Sequence, residues 1–279
     1  MRSAPGASST QPVQYLGVYE RDASSSYSGV SAFTTATGVR PDIVTYFSSW
    51  LEAFQTNFAT NAAEHGALPL VQINPYKVSL AAIAAGQYDS YLRAYAEAVR
   101  TYSHPVILSF GHEMNGTWYP WGYTHTSPIT FVNAWRHIVN VFRSVGAKNV
   151  IWLWTANIIQ TGGIPSPQAW WPGSSYVNWV GLDGYYYHSS WTFTSLFGPT
   201  FAAVRQWTQD PILIAETGAQ TGPSQPAKIA DLFAGVRLYR MLGFVWFDAK
   251  AGQDDWRLTT PASFAAFRKN ASAYYRPKP

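Results

Sequence analysis

The chain has 279 residues, a formal net charge of +4, 47% hydrophobic, 16% aromatic and 12% charged residues, and no cysteine. Its length and apolar content allow one large domain with a sizeable core, a size that barrels of alternating strand and helix reach. Without Cys there is no disulfide and no thiolate metal site, and the scattered basic residues form no stripe for nucleic acid. No apolar stretch approaches the roughly 18 residues that a membrane span needs. Residues 1–13 are small and polar and read as a flexible leader, such as remains after a secretion signal is trimmed. Residues 14–279 then read as a single folded domain.

Taken in order, Gln14–Glu20 reads as a first strand, followed by a helical patch over 32–38. Asp42–Trp50 is a second strand, and a helix over 51–65 stops at His65-Gly66. Leu68–Pro75 is a third strand. A long helix is predicted over 79–102, because Leu92, Tyr95, Ala96, Val99 and Tyr102 share one face. Pro105–Ser109 is a fourth strand. Ser127-Pro128 supplies an N-cap with Pro at the first helical position, and an apolar stripe runs from Phe131 to Val145 before Gly146.

Asn149–Asn157 is a fifth strand and Val177–Tyr185 a sixth. A helix over 195–208 follows, then a seventh strand Pro211–Glu216 and a helix over 226–242. Gly243–Asp248 is an eighth strand, and a helix Pro261–Tyr275 closes the chain. Eight short apolar strands separated by helices predict a parallel sheet closed on itself, a single (β/α)8 barrel of the α/β class.

In such a barrel, chemistry comes from the C-terminal ends of strands. That rule selects Glu20, Glu113, Asp183, Glu216 and Asp248 from the fifteen carboxylates. Glu113 follows strand four and Glu216 ends strand seven. These strands lie on opposite sides of the barrel, so the two side chains can face each other across the mouth. Hydrolysis of a glycosidic bond uses such a pair. Trp118 and Trp121 follow Glu113 at once, and indole faces can stack on sugar rings. Asp183 reads more readily as structural.

Other motifs fail. His112-Glu113 begins like a zinc-protease helix, but Gly116 stands where the second His is needed. There is no Gly-x-Ser-x-Gly and no phosphate-cradling Gly-x4-Gly-Lys. Asn115-Gly116-Thr117 matches a glycosylation sequon but sits at the proposed mouth.

Gly111-His112-Glu113-Met114-Asn115-Gly116 with Trp118, then Trp171-Pro172-Gly173, the run Tyr176–Tyr185 and Ile214-Ala215-Glu216-Thr217-Gly218 together resemble glycoside hydrolase family 26. The similarity runs in order over most of residues 14–260. The resemblance implies a retaining barrel hydrolase in which Glu216 is the nucleophile and Glu113 the acid, then the base. It implies that His112 orients the nucleophile or a substrate hydroxyl and that Tyr185 holds Glu216. It places Trp118 at the sugar site and Trp246 beneath the sugar at the cleavage point. It implies no metal and no cofactor.

The expected partner is a β-linked polysaccharide, met by a secreted monomer, with neither nucleic acid nor membrane involved. Family members commonly cut β-1,4-mannan, so an endo-β-mannanase ranks first. Trp118-Tyr119-Pro120-Trp121 looks more like the mixed-linkage glucanase branch (lichenase), which ranks second, with β-1,3-xylan third. A non-catalytic carbohydrate-binding barrel is the rival from another class.

Overall fold

The computed structural model describes residues 14–159 and 163–275. Eight strands pair in chain order and close: β1 (Tyr15–Tyr19), β2 (Ile43–Ser49), β3 (Leu68–Asn74), β4 (Val106–Phe110), β5 (Val150–Asn157), β6 (Trp179–Asp183), β7 (Ile212–Thr217) and β8 (Gly243–Phe247). Each adjacent pair is parallel, and β8 returns to β1 with Tyr15 opposite Gly243. The α/β barrel expected from eight apolar strands is therefore present. The leader expectation for residues 1–13 falls outside the described residues.

Alternation along the strands builds two cores. Ile43, Leu70, Ile107, Leu153, Leu213, Ala215 and Val245 fill the interior of the barrel. The other face of each strand packs under the helices, in a larger cluster that includes Val44, Leu108, Trp154, Ile214 and Phe244. Burial on both faces explains why the strands read as unbroken apolar runs.

The helices are α1 (Ser28–Thr37), α2 (Thr56–Glu64), α3 (Leu80–Ala84), α4 (Asp89–Tyr102), α5 (Pro128–Val145), α6 (Phe193–Val204), α7 (Gln225–Leu238) and α8 (Pro261–Tyr274). Ser127 caps α5 by accepting a hydrogen bond from the Thr130 amide, and Gly146 ends it in a left-handed conformation. The single helix predicted over 79–102 is two helices. Gly86 adopts φ 79° between them, and the apolar stripe that suggested one helix belongs to α4 alone. A short hairpin, β9 (Lys250–Ala251) and β10 (Asp254–Asp255), lies between β8 and α8. Its two-residue strands carry no legible alternation in the sequence.

Candidate active site

The C-terminal ends of the strands open into a cleft of about 760 Å³ whose walls include Glu113, Glu216, Trp118, Tyr119, Tyr185 and Trp256. β4 stops at Phe110, three residues before Glu113. The chain then turns inward, with Glu113 itself at φ 55°. Its amide donates to the Thr155 carbonyl at 2.9 Å, which ties the turn to β5. The residue is 7% exposed. One oxygen accepts from Asn157 Nδ2 at 2.7 Å and the other from Trp118 Nε1 at 2.6 Å.

Glu216 lies inside β7. Leu213 and Ala215 point into the barrel, so strict alternation would turn Glu216 outward. The pairing of β7 slips against both neighbours at this level. Such an irregularity re-aims a side chain, and Glu216 faces the cleft with 6% exposure. Its Oε1 accepts from Gln72 Nε2 at 3.2 Å, and its Oε2 accepts from the Tyr185 hydroxyl at 2.8 Å. The contact with Tyr185 is the one the sequence reading proposed.

His112 is buried behind the cleft wall. Its Nε2 is 3.0 Å from the Tyr119 hydroxyl and 3.9 Å from Glu216 Oε1. Burial pushes the imidazole down to about 3, so the ring is neutral and the contact with Glu216 is not an ion pair. Trp118 is half exposed on the wall of the cleft.

Two expectations are corrected. Trp121 is fully buried; it donates its indole N–H to the His112 carbonyl at 2.8 Å and stacks on Tyr119 with ring centroids 4.4 Å apart. It backs the wall and is not part of the cleft lining. Trp246 is also fully buried and points away from the mouth, edge-on to Phe267 of α8. The cause is strand alternation: Val245 fills the barrel interior and Phe247 lines the cleft, so Trp246 between them faces the helix layer. Asn115 of the sequon is buried as well. Its amide group bonds the backbone N–H and carbonyl of Asn157, a strut between the β4 loop and β5.

Sequence reasoning missed Gln72, Asn157, Tyr119, Phe247 and Trp256. Gln72 and Asn157 had a usable signal, a polar residue in or ending an apolar strand. Glu20 and Asp248, selected by the strand-end rule, hydrogen-bond each other at the β1–β8 rim, and Asp248 accepts from the Leu258 amide at 2.6 Å.

The sequence profile described as Glycosyl hydrolase family 26 matches residues 35–262. The chain belongs to glycosyl hydrolase family 26. This family 26 chain is 29% identical over 265 residues to Endoglucanase H of Acetivibrio thermocellus, covering 89% of the chain and 29% of that protein. It is 24% identical to the β-1,3-xylanase TXYA of a Vibrio species over 55% of the chain and 35% of that protein. The chain thus spans about a third of these curated relatives. Among solved structures, a family 26 β-mannanase from Bacteroides ovatus superposes with a TM-score of 0.72 at 16% identity, over 94% of this chain and 88% of that one. At that identity the superposition speaks for the fold.

Electrostatics couple the carboxyls of this family 26 site. Burial pushes Glu113 up, against the hydrogen bonds from Asn157 and Trp118. Burial and then the Glu113 charge push Glu216 up, against Tyr185 and Gln72. Asp183, fully buried at the end of β6, is raised by burial and by both glutamates. The Glu113 charge opposes ionisation of the buried Glu216, so the glutamate pair keeps one proton well above the usual carboxylate range.

Glu20 and Asp248 are raised in the same sense. With their pKa values raised, all five groups hold protons to higher pH in the folded state than in the unfolded chain. Their stabilising contribution is complete below their unfolded pKa values, around 4, and is lost as pH rises through the folded values. A calorimetric pH series is expected to show the melting temperature falling from about pH 5 to about pH 9. A melting temperature that rose over this window would contradict the raised carboxyls.

Proposed function

We propose that this family 26 enzyme is a retaining, endo-acting β-glycanase that cleaves a β-glucan by double displacement. The observation that carries the reaction is the pair of carboxyls lining one cleft, each member held by two donors. In the working form the pair's one proton resides on Glu113. Glu113 protonates the glycosidic oxygen as Glu216 attacks the anomeric carbon, giving a covalent glycosyl-enzyme and a free chain end. Glu113 then takes a proton from water, which displaces Glu216. Tyr185 and Gln72 hold the nucleophile's two oxygens, and Asn157 holds the acid. Trp118 offers its exposed face to the departing sugar.

The sugar is supported separately. The match to Endoglucanase H covers 89% of the chain and 29% of that protein, and Trp118-Tyr119-Pro120-Trp121 resembles the mixed-linkage pattern. A mannan reading has its own support: a Bifidobacterium adolescentis mannan endo-1,4-β-mannosidase is 32% identical over 82 residues, 29% of this chain and 8% of that protein. A polymer of either kind is met outside the cell, so the reading includes secretion.

The test is a panel of barley β-glucan, lichenan, galactomannan and β-1,3-xylan, with product sizes read by chromatography. Barley β-glucan and lichenan are expected to fall to mixed oligosaccharides roughly tenfold or more faster than galactomannan. The reverse order would move the reading to mannan. Binding without cleavage of any polymer would reject catalysis and leave a carbohydrate-binding barrel.

A further inference from the structure

The β8–α8 connection places one aromatic side chain where no barrel strand could. Trp256, just after β10, lines the cleft but is only 2% exposed. Its ring lies 4.7 Å from Tyr185 at 35°, and 5.0 Å from Tyr187 nearly edge-on. Tyr185 is the residue whose hydroxyl meets Glu216 Oε2 at 2.8 Å. An indole against a phenol ring limits how that ring can tilt, and therefore where its hydroxyl lies.

The seat of Trp256 is fixed from several directions. The Trp246 indole N–H donates to the Trp256 carbonyl at 3.1 Å. The Trp256 amide donates to Ala249 at 3.2 Å. A Cβ added to Gly218, two residues past Glu216, would lie 2.9 Å from Trp256 Cβ, so only glycine lets the indole settle on the nucleophile's own loop. The flanking hairpin is stitched to that loop. Gln220 bonds the Asp254 side chain and the Asp255 amide, and the Thr221 amide donates to the Asp255 carbonyl at 2.8 Å.

We propose that Trp256 is a positioning residue for Glu216: it braces the Tyr185 ring so that the Tyr185 hydroxyl stays aimed at the Glu216 carboxylate. The inference rests on Glu216 being the nucleophile. Trp256 acts at one remove, through Tyr185, and its indole is too enclosed to serve as a stacking face. The hairpin thereby becomes part of the catalytic apparatus.

The direct test reads the Glu216 carboxyl. Chains with 13C-carboxyl-labelled Glu are titrated by NMR in a Glu113→Gln background, so that its strongest coupled neighbour no longer titrates; Asp183 and neutral His112 remain in every sample. Tyr185→Phe removes a hydrogen bond to the charged form and is expected to raise the Glu216 pKa by roughly 0.5 or more. Trp256→Leu is expected to raise it comparably. The double variant is expected to go no further than the larger single change, because both act through one hydrogen bond. Trp256→Phe, which keeps a flat ring, is expected to restore most of the wild-type value.

In the Glu113 chain, Trp256→Leu is expected to lower kcat about tenfold with KM little changed, and to move the acid limb of the pH profile to higher pH. An unmoved Glu216 titration, additive shifts, or a raised KM at unchanged kcat would overturn the proposal; the last would make Trp256 a sugar platform. Should Trp256→Leu fail to fold, Trp256→Met carries the same test with more of the bulk retained. The titration needs no substrate, so its failure rejects the bracing role alone. Failure of the functional reading shows itself elsewhere, as wild-type turnover after loss of either glutamate.

Discussion

Replacing Glu216 with Gln is expected to reduce polysaccharide hydrolysis roughly ten-thousand-fold or more, because no group then remains to bond the anomeric carbon. Glu113→Gln is expected to reduce hydrolysis of the polymer by about a thousandfold, the scale of a lost general acid. The two roles separate with leaving group. An aryl glycoside with an acidic phenol departs without help, so Glu113→Gln retains much of its first step on that substrate and Glu216→Gln does not. Azide separates them again. In Glu113→Ala it enters after the glycosyl-enzyme and gives the β-glycosyl azide; in Glu216→Ala it attacks in place of the nucleophile and gives the α product. Wild-type-like turnover by either Gln variant would remove the assignment.

The same substitutions carry a stability signature that an inert surface change would lack. Glu216 is raised by burial and by the Glu113 charge, so ionising it costs the fold free energy as pH rises. Gln carries no such cost. Glu216→Gln is expected to melt above the wild type at alkaline pH, with the gap shrinking as pH falls toward about 4.5. The site thus trades stability for reactivity, as strained or charged active sites commonly do.

Gly243→Ala is expected to be the most damaging single methyl in the barrel. Gly243 opens β8 opposite Tyr15, where the last strand meets the first. A Cβ there would lie 1.8 Å from the Tyr15 carbonyl oxygen and 2.7 Å from its carbon. Both are backbone atoms, so no rotamer change relieves the overlap. The neighbouring Gln14 and Tyr15 amides both donate to the Leu242 carbonyl, at 2.9 and 3.0 Å, which leaves the seam little freedom to slide. A cost of about 3 kcal/mol or more is expected, lowering the melting temperature by roughly 6 °C or more. Differential scanning calorimetry reads it directly; an unchanged melting temperature would mean that the seam is not rigidly closed. Because β7 pairs with β8, opening this seam also loosens Glu216.

Much of this was legible because barrels impose a simple code. Every strand is buried on both faces, so each appeared as an apolar run, and closure follows from counting eight. The rule that chemistry sits at C-terminal strand ends narrows fifteen carboxylates to five, and the opposition of strands four and seven then singles out Glu113 and Glu216. The corrections come from side-chain direction, which regular alternation sets in β8 and loop geometry sets after β4. The family resemblance places Trp246 at the mouth, near the end of β8, but its neighbours Val245 and Phe247 take the inward positions. Trp121 was read as a platform because it follows Trp118 by three, a spacing that says nothing about direction within a loop. Trp256 escaped notice because a two-residue hairpin has no period to detect. The slip in β7 that turns Glu216 inward is equally silent in Ile-Ala-Glu-Thr.

The left-handed backbone at Glu113 has a consequence for how this protein would change under different pressures. A glutamate at φ 55° sits where glycine or asparagine rests more comfortably, by about 1 kcal/mol. Its carboxyl is also buried against its preference for water. The proposed proton donor is therefore a position at which fold and chemistry disagree. A lineage kept only for soluble expression would drift toward Gly or Asn there, and only continued demand for turnover holds the acid in place.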